Sequence, residues 1–141
     1  TNKDIQNLKK KIIFENHDYL ILSKPNDIAV QSGTKTGKNI IDILNYQNPS
    51  YFIVHRLDKD TSGVLIIAKN RFTAKYLSEQ FLLRKIKKKY IALVNGKIEK
   101  EKGLVKSNII NKNKKILGIL KFKTIKKNKL FSLIKIDLVT G

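Results

Sequence analysis

Arg56 and Asp58 sit at the centre of the segment richest in reactive groups, Val54-His55-Arg56-Leu57-Asp58-Lys59-Asp60-Thr61-Ser62-Gly63, which runs into the apolar stretch Val64-Leu65-Ile66-Ile67-Ala68. If the chain enters this segment extended, the period-2 alternation of a strand puts Val54, Arg56 and Asp58 on one side and His55 and Leu57 on the other. A guanidinium and a carboxylate then share a face. At a separation near ~4 Å and an effective dielectric of ~20 they attract by roughly 4 kcal/mol before desolvation is counted, enough to keep a partly buried carboxylate ionised. An ionised, oriented carboxylate is what nucleophilic or base chemistry at a sugar requires. The same spacing also suits an ordinary ion pair beside a turn, and spacing alone leaves both readings open. Asp60-Thr61-Ser62-Gly63 has turn chemistry, with an Asp able to bond its own backbone and a Gly in fourth position, so a polar loop between two strands is expected here. His55 and Leu57 are expected to pack beneath it.

The elements that must hold this loop follow from the hydrophobic pattern. Strands are expected at Ile12–Glu15, Tyr19–Ser23, Tyr51–Val54, Gly63–Ala68, Tyr90–Val94, Leu104–Ile109, Ile119–Ile125 and Leu130–Val139. Residues Lys38–Asn45 carry Ile40, Ile41 and Leu44 at helical spacing. Ala74, Leu77 and Phe81 form an i, i+3, i+7 stripe in a second helix, with Asn70 as its N-cap. Many strands, few helices and short connections define an α+β fold with a mostly antiparallel sheet and a few flanking helices. No internal repeat and no Pro/Gly/Ser-rich linker divides the chain, so one domain is expected.

Composition narrows the partners. The 141 residues carry 30 Lys and Arg against 11 Asp and Glu, a formal charge of +19. Such an excess attracts polyanions at long range, which makes nucleic acid the expected partner, although part of it is a solvating surface. Local concentrations lie at Lys9-Lys10-Lys11, at Arg84-Lys85-Ile86-Lys87-Lys88-Lys89, at Lys112 with Lys114-Lys115, and at Lys126-Lys127 with Lys129. The lack of cysteine excludes disulfides, thiolate nucleophiles and Cys-based zinc sites, and it fits a cytoplasmic location. His17 and His55 alone make a poor metal set. No apolar run approaches the ~20 residues of a bilayer span, so no membrane partner is expected. Gly33-Thr34-Lys35-Thr36-Gly37-Lys38-Asn39 imitates a phosphate-binding loop, but it has too few residues between its glycines and Asn39 stands where Ser or Thr would ligate magnesium. A surface loop is expected there, with Lys35 and Lys38 available to an RNA backbone.

The string His55-Arg56-Leu57-Asp58 followed by Asp60-Thr61-Ser62-Gly63 and an apolar strand resembles the signature of the pseudouridine synthases of the large-subunit ribosomal RNA type. Two further segments carry the same resemblance at the expected spacing. Tyr19-Leu20-Ile21-Leu22-Ser23-Lys24-Pro25 is similar to the family's first motif, a strand ending in Lys-Pro. Lys89-Tyr90-Ile91-Ala92-Leu93-Val94-Asn95-Gly96 is similar to the motif with the active-site tyrosine. The resemblance runs from about Ile12 to Gly141. It implies the pseudouridine synthase catalytic fold over residues 12–141 and isomerisation of uridines in RNA, most of all large-subunit ribosomal RNA, with neither cofactor nor metal.

Carried onto this sequence, the resemblance makes Asp58 the catalytic carboxylate, attacking the ribose anomeric carbon or abstracting the neighbouring sugar proton. Tyr90 would stack on the base and assist removal of the proton at carbon 5; without the resemblance it reads as a core strand aromatic. Arg56 would fill the gap left when the uridine swings out of the RNA stack. Arg84, Lys85, Lys87, Lys88, Lys35 and Lys38 would contact RNA, and the protein is expected to act as a monomer. Two departures from the family pattern stand out. The chain stops at Leu138-Val139-Thr140-Gly141, where the family continues with an Arg that pairs with the catalytic Asp, so the C-terminal part is expected to be missing and this piece to have little activity. The stretch between Val105 and Ile125 is short for the family, as if a loop were missing. Members often carry an N-terminal S4-type RNA-binding domain, and Thr1–Lys11 is expected to be a remnant of its linker. The alternatives are a noncatalytic basic RNA-binding module, which explains the charge only, and a nuclease with Asp58 and Asp60 as magnesium ligands, which would need further carboxylates.

Overall fold

The structure, a computed structural model, describes residues 2–33, 37–46, 49–111 and 114–140. Although no linker composition marks a boundary, the chain divides into two units, Thr1–Leu83 and Arg84–Gly141.

The first unit runs α1 (Asn2–Lys9), β1 (Ile12–Glu15), β2 (Tyr19–Lys24), α2 (Ile40–Asn45), β3 (Phe52–Ile53), β4 (Gly63–Ala68) and α3 (Arg71–Leu82). Its four strands form one antiparallel sheet in the order β1-β2-β4-β3. Alternation in β2 turns Leu20, Leu22 and Lys24 inward, and the register sets Leu20 against Ile67 and Leu22 against Leu65. These four apolar side chains, all fully buried, meet Leu8, Val30, Ile40 and Leu44 in the core. Each such side chain contributes about 1.5–3 kcal/mol on leaving water.

Leu8 belongs to the segment expected as a linker remnant. That segment contains α1, whose Ile5 and Leu8 recur at i, i+3 and are both buried. The helix expected over Lys38–Asn45 starts at Ile40, because Asn39 caps it: its Oδ1 accepts from the Asp42 N–H at 3.0 Å. The same Asn39 argued against a phosphate loop; residues 34–36 of that stretch, Lys35 among them, lie outside the described residues. The strand expected over Tyr51–Val54 shortens to Phe52–Ile53.

The second unit is a four-stranded antiparallel sheet of β5 (Lys88–Asn95), β6 (Lys102–Asn111), β7 (Lys114–Lys127) and β8 (Phe131–Leu138), in the order β5-β8-β7-β6. β6 and β7 pair without interruption from Lys102 opposite Lys123 to Asn111 opposite Lys114. Among the described residues, the stretch that is short for the family is thus a two-stranded antiparallel arm in continuous register. Gly103 faces Phe122, whose ring lies where a Cβ would stand, 2.6 Å from its Cε1. The fully buried Ser132 ties the far end of β5 by donating to the Gly96 carbonyl and accepting from the Ile98 N–H, both at 2.8 Å.

α3 forms as the sequence stripe predicts. Thr73 is buried, Ala74, Leu77 and Phe81 are half-buried, and Asn70 Oδ1 accepts from the Thr73 N–H at 2.8 Å. Asn70→Ala is expected to lower the unfolding free energy by about 1 kcal/mol, the usual worth of an N-cap, and Asn70→Asp by less. Urea unfolding of the three forms checks this, and equal midpoints would remove the cap from the account.

Candidate active-site loop

Between β3 and β4 the chain leaves the strand form, and residues 54–62 make an irregular loop. Extended alternation therefore fails here. Val54 and Leu57 are both buried, while Arg56, Asp58, Lys59 and Asp60 are exposed. The turn falls two residues earlier than Asp60–Gly63: the Thr61 N–H donates to the Asp58 carbonyl at 3.1 Å, closing a turn over Asp58-Lys59-Asp60-Thr61. Gly63 then enters β4 with a φ of 131°, a region where a side chain would be strained. Arg56 and Asp58 both face solvent, yet among the described residues no ion pair joins them. The pairing expected from spacing is absent because its premise, an extended backbone through Asp58, does not hold.

Three other contacts hold the loop. Lys24, 1% exposed at the end of β2, donates from Nζ to the Lys59 carbonyl at 3.0 Å and to the Pro25 carbonyl at 2.7 Å. Burial lowers its pKa from the ordinary lysine value of 10.5, and Asp60, Asp27 and Asp58 oppose that shift by favouring the charged ammonium. Asp27, beyond the Lys-Pro pair, sits at a φ of 65°. At the other end, His55 Nε2 accepts from the Ile66 N–H of β4 at 2.9 Å. That bond places the ring proton of the neutral imidazole on Nδ1. The His55 ring stacks on Phe81 of α3 with centroids 4.3 Å apart and planes 19° apart. Leu57, 6% exposed, plugs the middle. Asp58 thus projects from a loop pinned to β2, β4 and α3, and the expectation that His55 and Leu57 pack beneath it agrees with their contacts and burial.

The remaining candidates are distributed over both units. Lys38, in the first, is exposed and its Nζ meets Asp4 Oδ2 of α1 at 2.7 Å, a surface pair worth about 0–1 kcal/mol. Arg84, Lys85, Lys87, Lys88 and Tyr90 belong to the second. Arg84, Lys85 and Lys87 are exposed, and Arg84 has a φ of 55° just past the end of α3. Lys88 opens β5 opposite Leu138, and Tyr90 is half-buried opposite Ile136. Among the described residues no group of three or more His, Cys, Asp or Glu side chains is placed to hold a metal ion. No helix there is long and apolar enough to cross a membrane.

The loop-holding part of Lys24 escapes a reading by motif, which gives it as half of a Lys-Pro pair without a task. Its signal lies in the alternation of Tyr19-Leu20-Ile21-Leu22-Ser23-Lys24: a lysine in step with Leu20 and Leu22 points inward, and an inward ammonium must find acceptors.

A strand-borne Lys-Pro, a pinned loop bearing an exposed Asp, and a strand with a half-buried Tyr occur in a chain that belongs to the RNA pseudouridylate synthase family, whose model matches residues 18–141. Within the family, Ala29-Val30-Gln31-Ser32-Gly33 and the overall spacing point toward ribosomal large subunit pseudouridine synthase C, and relatives of that name are indeed similar. The protein of that name from Buchnera aphidicola subsp. Baizongia pistaciae is 49% identical over 88 residues, covering 60% of this chain and 28% of its own. Its namesake from Rickettsia typhi is 41% identical over 101 residues, 70% of this chain and 33% of its own. An uncharacterized RNA pseudouridine synthase of Helicobacter pylori is 36% identical over 132 residues, 86% of this chain and 40% of its own. The chain therefore spans about a third of the length of the curated relatives it matches. Its fold matches that of human RNA Pseudouridylate Synthase Domain Containing 4 with a TM-score of 0.81 at 20% identity, over 99% of this chain and 63% of that one.

Two outcomes are expected from the loop's anchors. Because the folded Lys24 has the lower pKa, the unfolded chain binds more protons between that value and 10.5, so the stability due to this residue rises with pH across that window. Lys24→Met abolishes that rise, and the difference between urea-unfolding curves of the two forms at increasing alkaline pH measures it; a wild-type curve falling relative to the variant would contradict the assignment. His55→Leu leaves the Ile66 N–H without its acceptor and lowers stability by about 1–3 kcal/mol at neutral pH. Equal unfolding midpoints would show that this bond contributes nothing.

Proposed function

We propose that the protein containing this chain converts uridine to pseudouridine in RNA, with large-subunit ribosomal RNA as substrate and Asp58 as the catalytic carboxylate. The observation that carries this reading is the placement of Asp58: a solvent-facing carboxylate on a loop fixed at both ends by Lys24 and His55. An exposed carboxylate on a mobile loop would lose most of its advantage, because catalysis by a positioned group depends on prepaid orientation. Family membership and the names of the ribosomal relatives support the substrate.

In the reaction, the bond between N1 of uracil and the ribose C1′ breaks, and a bond between C5 and C1′ forms. The proton on C5 leaves and N1 takes one up, so no electrons are gained or lost and no co-reactant is consumed. Asp58 either attacks C1′ or removes the adjacent sugar proton. Tyr90 stacks on the detached base and assists departure of the C5 proton. Extruding the uridine from its stack costs a few kcal/mol, and Arg56, exposed next to Asp58 on the same loop, fills the space it vacates.

Arg84, Lys85, Lys87, Lys88, Lys35 and Lys38 neutralise phosphates, consistent with the charge of +19. Lys38 does so by exchanging Asp4 for RNA, an exchange that costs little for an exposed pair. The protein acts as a monomer in the cytoplasm, without a cofactor.

Release of tritium from RNA labelled at uridine C5 tests the proposal. In the whole protein, Asp58→Asn is expected to reduce release by at least about 10²-fold, the lower range for a positioned proton-transfer group, while RNA affinity stays within a few fold. Undiminished release from the amide variant would remove Asp58 from the chemistry, and no release from the unaltered whole protein would favour a noncatalytic basic RNA-binding module.

A further inference from the structure

The core-facing side of α3 is filled by Thr73, Ala74, Leu77 and Phe81, the last stacked against His55. Its outer side carries Phe72, 84% exposed, and Tyr76, 56% exposed, one helical turn apart. Each follows a cation directly, Arg71 before Phe72 and Lys75 before Tyr76, and both cations are exposed. Side chains four apart on a helix are neighbours, with Cβ atoms about 5–6 Å apart. The outer face therefore presents two aromatic rings in line beside two positive charges. Among the described residues neither ring is part of the buried core of this unit. The single acidic residue of the helix, Glu79, lies one turn beyond Lys75, and Leu82 and Leu83 continue the apolar strip past it. The pairing of ring and cation is thus confined to the N-terminal half.

We propose that this half of α3 is a binding surface for unpaired RNA, in which Phe72 and Tyr76 each stack on a base and Arg71 and Lys75 meet the adjoining phosphates. The surface deepens the RNA reading above and rests on it. Nucleic acid is the occupant that the charge favours: a chain at +19 with Arg71 and Lys75 beside the rings attracts a polyanion, whereas a protein partner would need an acidic, apolar face of its own. Every base has a π face, so aromatic stacking grips single strands without regard to sequence. The location adds a use. Because Phe81 of the same helix stacks on His55, three positions before Asp58, nucleotides held on α3 are fixed relative to the loop that carries the carboxylate. Flanking unpaired residues would then help to set which uridine reaches Asp58.

The chain contains no tryptophan, so Phe72→Trp installs a single fluorescent probe in it. Titration of this variant with a short oligouridine should quench the indole, as stacking requires, and Phe72→Ala with Tyr76→Ala should weaken oligouridine binding by at least about 5-fold for each ring removed. Arg71→Gln and Lys75→Gln should each reduce the slope of log affinity against log salt by about 0.7, the single-strand value per phosphate contact. Unchanged affinity in the double alanine variant, or an unquenched indole on a saturated complex, overturns the proposal while leaving the Asp58 reading intact. If the double variant binds RNA normally but loses a self-association seen by sedimentation in the parent, the face joins two copies of the chain and the proposal is wrong. If the parent chain binds no oligouridine the proposal is wrong, and if the unaltered whole protein also releases no tritium from labelled RNA, the RNA reading beneath it fails as well.

Discussion

The buried ammonium of Lys24 is the interaction on which the rest depends. Placing a cation at the end of a core strand is unfavourable unless its hydrogen-bonding capacity is met, and the carbonyls of Pro25 and Lys59 accept from it. One of those carbonyls belongs to the residue directly after Asp58. The energetic demand of a buried charge is thereby converted into a fixed position for the loop: if the loop moves away, Lys24 loses an acceptor. Asp60, Asp27 and Asp58 temper the cost of burial by favouring the charged form, so the acidic residues around the loop help to keep its own anchor ionised. His55 supplies the second constraint from the opposite side, through a neutral-imidazole acceptor and a ring stacked on α3.

How much of this is legible in the residues depends on the range of the interaction. The strands of the first sheet and the capping of α3 by Asn70 are local, and alternation or a cap-and-stripe pattern reports them directly. Those same rules misplace the loop. Alternation cannot announce where it stops, and it stops at Ile53, so Arg56 and Asp58 take positions dictated by the burial of Val54 and Leu57 and by the Asp58–Thr61 turn. The Lys24–Lys59 bond joins residues 35 positions apart and no local pattern encodes it. α1 escapes for a different reason: its polar residues make the segment look like a tether, and only the buried Ile5 and Leu8, the latter joining a core assembled from later elements, justify a helix.

The motif resemblance works where physical pattern is weakest. His55-Arg56-Leu57-Asp58 is too irregular to be read as an element, yet its order of residues reflects a fixed set of tasks: a ring that is both acceptor and stacking partner, an exposed cation, an apolar plug and a projecting carboxylate. Leu57 and His55 face inward and Arg56 and Asp58 outward, so the string alternates in use without being a strand. Family membership and the match in fold extend over nearly the whole chain, while the side-chain logic of the loop is contained in the first unit.

The second unit gives the basic composition another meaning. Its sheet ends laterally in β5 and β6, strands whose outer backbone groups face no further strand within that sheet. Lys88 and Lys89 stand on one of these edges and Lys102 and Lys106 on the other, in company with exposed Ile91, Leu93, Ile109 and Ile110. Exposed apolar edges invite edge-to-edge aggregation, and lysine is the residue that most often discourages it. Charge that draws a polyanion toward the chain therefore also holds its copies apart, so shielding or neutralising those lysines would trade solubility for fibril-like association.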